Sequence, residues 1–367
     1  MKDNQFDKFG GLKIVLSRGT GFFRVEKVGR RWWFITPEGH GFLSLGVNHI
    51  DSSALKYSDN LHAWREKYGD EETFLKKAVH RDLAEWGFNT VGWAQEVVVR
   101  GRTHTPIWRH DQYHWAGLPY CHLLPFTEIE MWNNYPRFPD VFSAEFEEWC
   151  DYTARASCAD MADDPYLIGY FYSDVPAWGA HRTGLHWAGR LDLGKPEGQA
   201  ELKRLAARYY QVIHDAIRRY DKNHLLLGDR YNGQALLPEV VLEAMARTVD
   251  VLSIQHFPPL DPFLEKMPRW HEITGKPVIN ADCAFPMRTG GRVHAGGIAT
   301  QAERGRLYAE WAEKCFRLPF FIGWHWCAYI ENTCRCAGLK DRFDQPYGDA
   351  IRPMHAFNKR VYEVAGQ

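Results

Sequence analysis

Short apolar runs bounded by turn residues alternate with helix-spaced segments along most of this chain. Residues 22–28 and 32–36 are β-rich around Gly29-Arg30-Arg31 and predict a hairpin at about 20–40. Residues 42–48, Phe-Leu-Ser-Leu-Gly-Val-Asn, then predict a strand. Phe74, Ala78, Leu83 and Trp86 keep helical spacing up to Gly87, and residues 88–93 return to strand character. The stretch 97–140 is loop-rich, with a strand expected near 122–126. Ser143 has the character of a helix N-cap, with Glu145, Glu147 and Glu148 in the first turns of a helix running to Met161.

The second half repeats the rhythm. A strand is predicted at 166–174. Leu202, Leu205, Ala206, Tyr209, Ile213 and Ala216 mark a helix, and strands follow at 225–229 and 249–255. A helix near 261–273, a strand from Lys276-Pro277 to Asp282, a helix at 301–316 and a strand at 320–326 complete the pattern. Eight continuous apolar strands separated by helices call for a parallel sheet covered on both faces. The expected class is therefore α/β, a (β/α)8 TIM barrel forming one catalytic unit over 1–367. A doubly wound sheet would carry a glycine-rich loop after its first strand, and Gly46-Val47-Asn48-His49 is not one.

Composition narrows the partners. A formal net charge of −1 gives no global field to attract nucleic acid or an anionic membrane. No stretch approaches the ~20 apolar residues of a membrane span, and the first residues lack an apolar targeting core. With eight scattered cysteines, this suggests a cytoplasmic location. Only Cys334-Arg335-Cys336 is close-spaced, without the second half of a zinc ribbon, so neither metal nor cofactor is expected.

In such a barrel the residues just after each strand share one rim, where the chemistry sits. Here that rim would hold Asn48, His49 and Asp51; Trp93; Asp174 and Trp178; Asp229, Arg230 and Tyr231; His256; Asp282; and Trp324, His325, Trp326 and Glu331. Carboxylates among flat rings and hydrogen-bonding groups suit a sugar: two carboxyls about the scissile bond, aromatic platforms, and polar groups for hydroxyls. Asp174 and Asp282 end two strands and make the expected catalytic pair, with Glu331 and Asp229 as alternates for the acid. A lone Asp at a strand end is as readily a helix cap; the pair changes the balance. Trp93, Trp178, Trp324 and Trp326 are the expected platforms, and Asn48, His49, His256 and His325 the hydroxyl contacts. His49, His256 and His325 with Asp51, Asp229 or Asp282 could instead hold a metal, but no His-x-His follows the first strand. After Asp282, the glycine-rich loop 287–297 carries Arg288, Arg292 and His294 and no acid, as a lid over an anionic sugar would.

Several stretches resemble the clan-A glycoside hydrolases, most of all the β-agarase-type barrels that act on red-algal galactans. They are Phe23-Arg24-Val25-Glu26-Lys27 with residues 32–48, Asp164-Pro165-Tyr166-Leu167-Ile168-Gly169-Tyr170-Phe171, Lys276-Pro277-Val278-Ile279 to Asp282, and His325-Trp326 with Tyr329. The resemblance implies a glycosidase acting on an oligosaccharide, with a nucleophile at Asp282. It also implies an Asn-Glu pair after the fourth strand, the Glu being the acid/base. This chain has Asp174-Val175 there, so the usual proton donor is missing. A non-hydrolytic saccharide-binding barrel and a metal-assisted hydrolase or isomerase stay open as alternatives.

Overall fold

The computed structural model describes residues 5–99, 103–131, 137–179, 191–288, 297–332 and 335–366. Eight parallel strands close into a barrel, in chain order around the ring. Strand one is Ser44–Asn48, two Thr90–Val91, three Tyr120–Leu123 and four Leu167–Asp174. Strand five is Leu225–Asn232, six Leu252–Gln255, seven Val278–Cys283 and eight Phe321–Cys327. Every residue of strands one, two, three, seven and eight is buried, as a parallel sheet covered on both faces requires.

Helices cover the outside. Ser143 caps Ala144–Met161 by accepting from Phe146 N at 3.2 Å, and Thr300 does the same for Gln301–Phe316 through Glu303 N at 3.1 Å. Pro196–Tyr220 and Asp261–Thr274 complete the longest four. The helix expected over 74–86 is broken into Glu71–Phe74, a π turn at Leu75–Val79 and His80–Trp86, which ends on Gly87 at φ +77°. Strand three lies a little upstream of its expected place, and strand six starts at Leu252 rather than 249.

The expected N-terminal hairpin is part of a larger element. Leu12–Leu16, His40–Phe42, Arg31–Ile35 and Arg24–Val28 form a four-stranded antiparallel sheet in that order. It closes the floor of the barrel, at the amino ends of the strands. Trp32 N donates to Pro319 O at 2.7 Å. The buried Arg31 donates to the carbonyls of Phe321 (2.8 Å), Ala365 (2.9 Å) and Phe316, binding the sheet to the foot of strand eight and to the C-terminal helix. Among the described residues no helix is long and apolar enough to cross a membrane.

Candidate active site

At the carboxyl ends of the strands a line of opposite charges crosses the mouth. Strand seven slips register against both neighbours near its end, and Asp282 stands opposite Gln255 of strand six. Such a bulge re-aims a side chain, here a carboxylate that is only 5% exposed. Asn48 Nδ2 donates to Asp282 Oδ1 at 2.7 Å and to Ala281 O at 2.8 Å, while Asn48 Oδ1 accepts from Trp93 N at 2.8 Å. Gly92 makes this possible: a Cβ there would lie 2.1 Å from Asn48 Oδ1. His49 Nε2 faces Asp282 Oδ2 at 3.5 Å, and its Nδ1 lies 2.6 Å from Gln95 O, where it donates. Burial alone would raise the Asp282 pKa. Arg230 first, then His49 and Arg335, override it and hold the carboxyl well below the usual range.

Arg230 is the centre of the line. It is fully buried, its guanidinium lies 4.0 Å over the Trp93 ring, and its Nη1 donates to Ala281 O at 3.2 Å. One nitrogen, Nη2, is 2.8 Å from Asp174 Oδ1 and 3.7 Å from Asp282 Oδ2, so the two expected catalytic carboxylates meet across it. Asp174 stands opposite Arg230 in the strand-four to strand-five ladder. Its Oδ1 also accepts from Arg230 Nε at 3.2 Å and from Gln255 Nε2 at 2.7 Å. Three N–H donors thus converge on one carboxyl oxygen. A proton donor needs surroundings that favour the neutral acid.

Such surroundings exist one loop away. Glu130 follows strand three and bridges to Pro176, with Met131 N donating to Val175 O and Ala177 N to Ile129 O, both at 2.9 Å. Burial, and the like charges of Asp174, Asp229 and Glu128, push its pKa up to about 8. Glu130 escaped the sequence reading because it belongs to a loop rather than a strand end. Glu96 and Arg335 did so for the same reason. Arg335 Nε donates to the buried Glu96 at 2.6 Å and its Nη1 to Cys327 Sγ at 3.0 Å, extending the charge line beyond His49. The one available signal for Arg335 was its place between two close cysteines.

The other expected residues divide sharply. Asp229 is fully buried and accepts from Tyr210 Oη (2.6 Å), Trp178 Nε1, Tyr209 Oη and Ser173 N (each 3.2 Å). Burial raises its pKa to about 6, but no substrate reaches it. Tyr231 joins that knot through Tyr210 Oη. Glu331 accepts from Tyr347 Oη at 2.8 Å and faces Arg304 at 3.6 Å, a separate pair beyond strand eight. Asp51 accepts from Ser53 N at 2.7 Å.

All four expected platforms are buried, Trp93 at 6% exposure beneath Arg230. Trp178, Trp324 and Trp326 are 1, 0 and 0% exposed. Strand alternation turns Trp324 and Trp326 outward onto Tyr308, with ring centroids 5.9 and 5.8 Å away, while His325 points inward to Ser44 Oγ at 2.8 Å. Burial, then the field of Arg230, lowers the His325 pKa to about 3. His256 is buried against Phe263, its Nε2 donating to Pro259 O at 3.0 Å. The three histidines therefore do not converge on a metal. His49, Asp282 and Cys327 do approach one another, but two guanidinium groups already press on that set. Arg288 is exposed and holds the base of its loop through Gly297 O at 3.2 Å. Arg292 and His294 lie outside the described residues.

No family model matches the sequence. The chain is similar to Beta-agarase B of Vibrio sp. (strain JT0107), with 22% identity over 484 residues. That match takes in 94% of this chain and 49% of the other, so the chain spans about half the length of the curated relative it matches. Among solved structures it superposes on an exo-β-agarase with TM-score 0.75 at 18% identity, over 99% of this chain and 68% of that one. It superposes on the agarase AgWH50C equally well, at 19% identity, over 99% and 67%. A β-glucuronidase of Bifidobacterium dentium complexed with coumarin-3-O-glucuronide gives TM-score 0.56 at 14% identity, over 92% and 49%. These matches bear out the resemblance to β-agarase-type barrels and the (β/α)8 fold.

Proposed function

We propose that the protein is a glycoside hydrolase of galactan-derived oligosaccharides. In this reading Asp282 is the anionic nucleophile or base and Glu130 the proton donor. One observation carries it: Asp282 at the barrel mouth and Glu130 on the loop paired to the end of strand four have surroundings that drive their protonation in opposite directions, as glycosidic cleavage requires of its two carboxyls. Asp174 links them. It shares Arg230 with Asp282, and its charge helps keep Glu130 neutral. Asn48 and His49 fix Asp282 rather than bind hydroxyls, and Trp93 carries Arg230 on its face. The cleavage step balances without a cofactor: Glu130 gives its proton to the leaving oxygen as the glycosidic bond breaks. Asp282 meanwhile attacks the anomeric carbon or takes a proton from the attacking water. The similarity to Beta-agarase B supports the substrate class.

The test is release of reducing ends from neutral and sulfated or carboxylated galactan oligosaccharides, by the parent and by Asp282→Asn. We expect product from the parent and a loss of about 10³-fold or more in the variant. Tight binding without product across the panel would instead favour a saccharide-binding barrel, the reading to which the Arg230-bound Asp174 also lends weight.

A further inference from the structure

Away from the mouth, at the amino ends of strands three and four, three ligand-type side chains converge. His110 Nε2 lies 2.8 Å from Asp164 Oδ2, His114 Nε2 lies 3.4 Å from the same oxygen, and the two ring nitrogens are 2.9 Å apart. No placement of protons makes all three edges full hydrogen bonds at once. A ring nitrogen holds either a proton or a lone pair. If His110 Nε2 donates to Asp164 it has no lone pair left to accept from His114. If it accepts from His114, its contact with the carboxylate sets lone pair against lone pair. A cation at the centre satisfies all three edges, because each atom then offers a lone pair to it. Tetrahedral zinc with bonds of roughly 2.0–2.1 Å wants its ligand atoms about 3.3 Å apart, within about half an ångström of these edges.

We propose that His110, His114 and Asp164 form a site for one transition-metal dication of the zinc type, with its fourth position open to water. The i,i+4 spacing sets both imidazoles on one face of the helix His110–Ala116. Asp164 is already oriented as a ligand would be. Its Oδ1 accepts from Tyr166 N at 2.9 Å, its Oδ2 from Tyr120 Oη at 2.7 Å, and its backbone carbonyl from His224 Nε2 at 2.7 Å. Burial makes the carboxylate a fixed anchor, while the exposed His114 leaves a way in for the ion. The site would staple that helix to the turn leading into strand four. Lying at the barrel's structural end, it would act on stability and not on the reaction.

The full chain, stripped with chelator and dialysed, is titrated with zinc chloride by calorimetry, and its thermal midpoint is followed with and without zinc. The parent should bind one equivalent more than His114→Ala and gain several degrees that the variant does not. His114 is exposed, so this substitution leaves the fold intact. Cobalt should give the visible absorption of a four-coordinate centre in the parent alone. Equal stoichiometry and equal thermal gain in parent and His114→Ala, or no binding by the parent, would overturn the proposal.

Discussion

At the residue scale the informative contrast is between Asp174 and Glu130. The first accepts three N–H contacts on one oxygen, and the second is kept neutral by burial and by like charges that include Asp174. A group whose pKa is raised to about 8 is a proton donor below that pH and loses the role as pH rises through it. The basic limb of a kcat/KM profile should therefore fall near pH 8. Glu130→Gln should lower turnover of sugars with poor leaving groups by roughly 10²–10⁴-fold and remove that limb. An aryl glycoside with a good leaving group should be much less affected. Asp174→Asn should shift the limb to lower pH, since Glu130 loses a neighbouring negative charge. If Asp174→Asn abolishes turnover and Glu130→Gln leaves it intact, the donor is Asp174 as the sequence alone suggested. Asp282 and its partners Asn48, His49 and Arg230 were legible because each ends a strand. Glu130 was not, because nothing in one dimension says which loop returns to the end of strand four.

Among the elements, legibility followed burial. Strand seven and helix Gln301–Phe316 were readable because continuous apolar runs and helical spacing are direct records of what is buried. Strand two was blurred because only Thr90–Val91 pair while Phe88, Gly92 and Trp93 around them are also buried. Leu12–Leu16 was not read because its apolar side chains face solvent, Ile14 at 81% and Leu16 at 67% exposure. The tryptophans at strand ends were misread for the converse reason: whether a ring faces the barrel or the helices depends on a one-residue phase. Helix Pro196–Tyr220 shows what such packing holds. It carries Tyr209 and Tyr210, whose hydroxyls, with the Trp178 indole, donate to Asp229. Asp229→Ala would strand these buried donors. We expect a loss of roughly 2–4 kcal/mol in stability by chemical denaturation, with Asp229→Asn costing less.

For the whole molecule, the floor sheet and the barrel are one cooperative body as far as Arg31 is concerned. This guanidinium has carbonyls and no carboxylate as its described partners, and burial lowers its pKa to about 10. Arg31→Ala would leave the foot of strand eight and the last helix without their shared donor. Stability should fall by about 3 kcal/mol with a single transition retained. Separate transitions for sheet and barrel would refute this coupling.

The end of strand four carries a constraint on where an acid can stand. Val175 sits at φ +41°, where a β-branched residue is strained, and its carbonyl receives Met131 N beside Glu130. The resemblance puts the usual acid at this position. Restoring a glutamate there while Glu130 remains would crowd it against Glu130, Asp174 and Asp229. On the proposed function, Val175→Glu would set two acids side by side where one proton donor is held, and each would make the other harder to ionise.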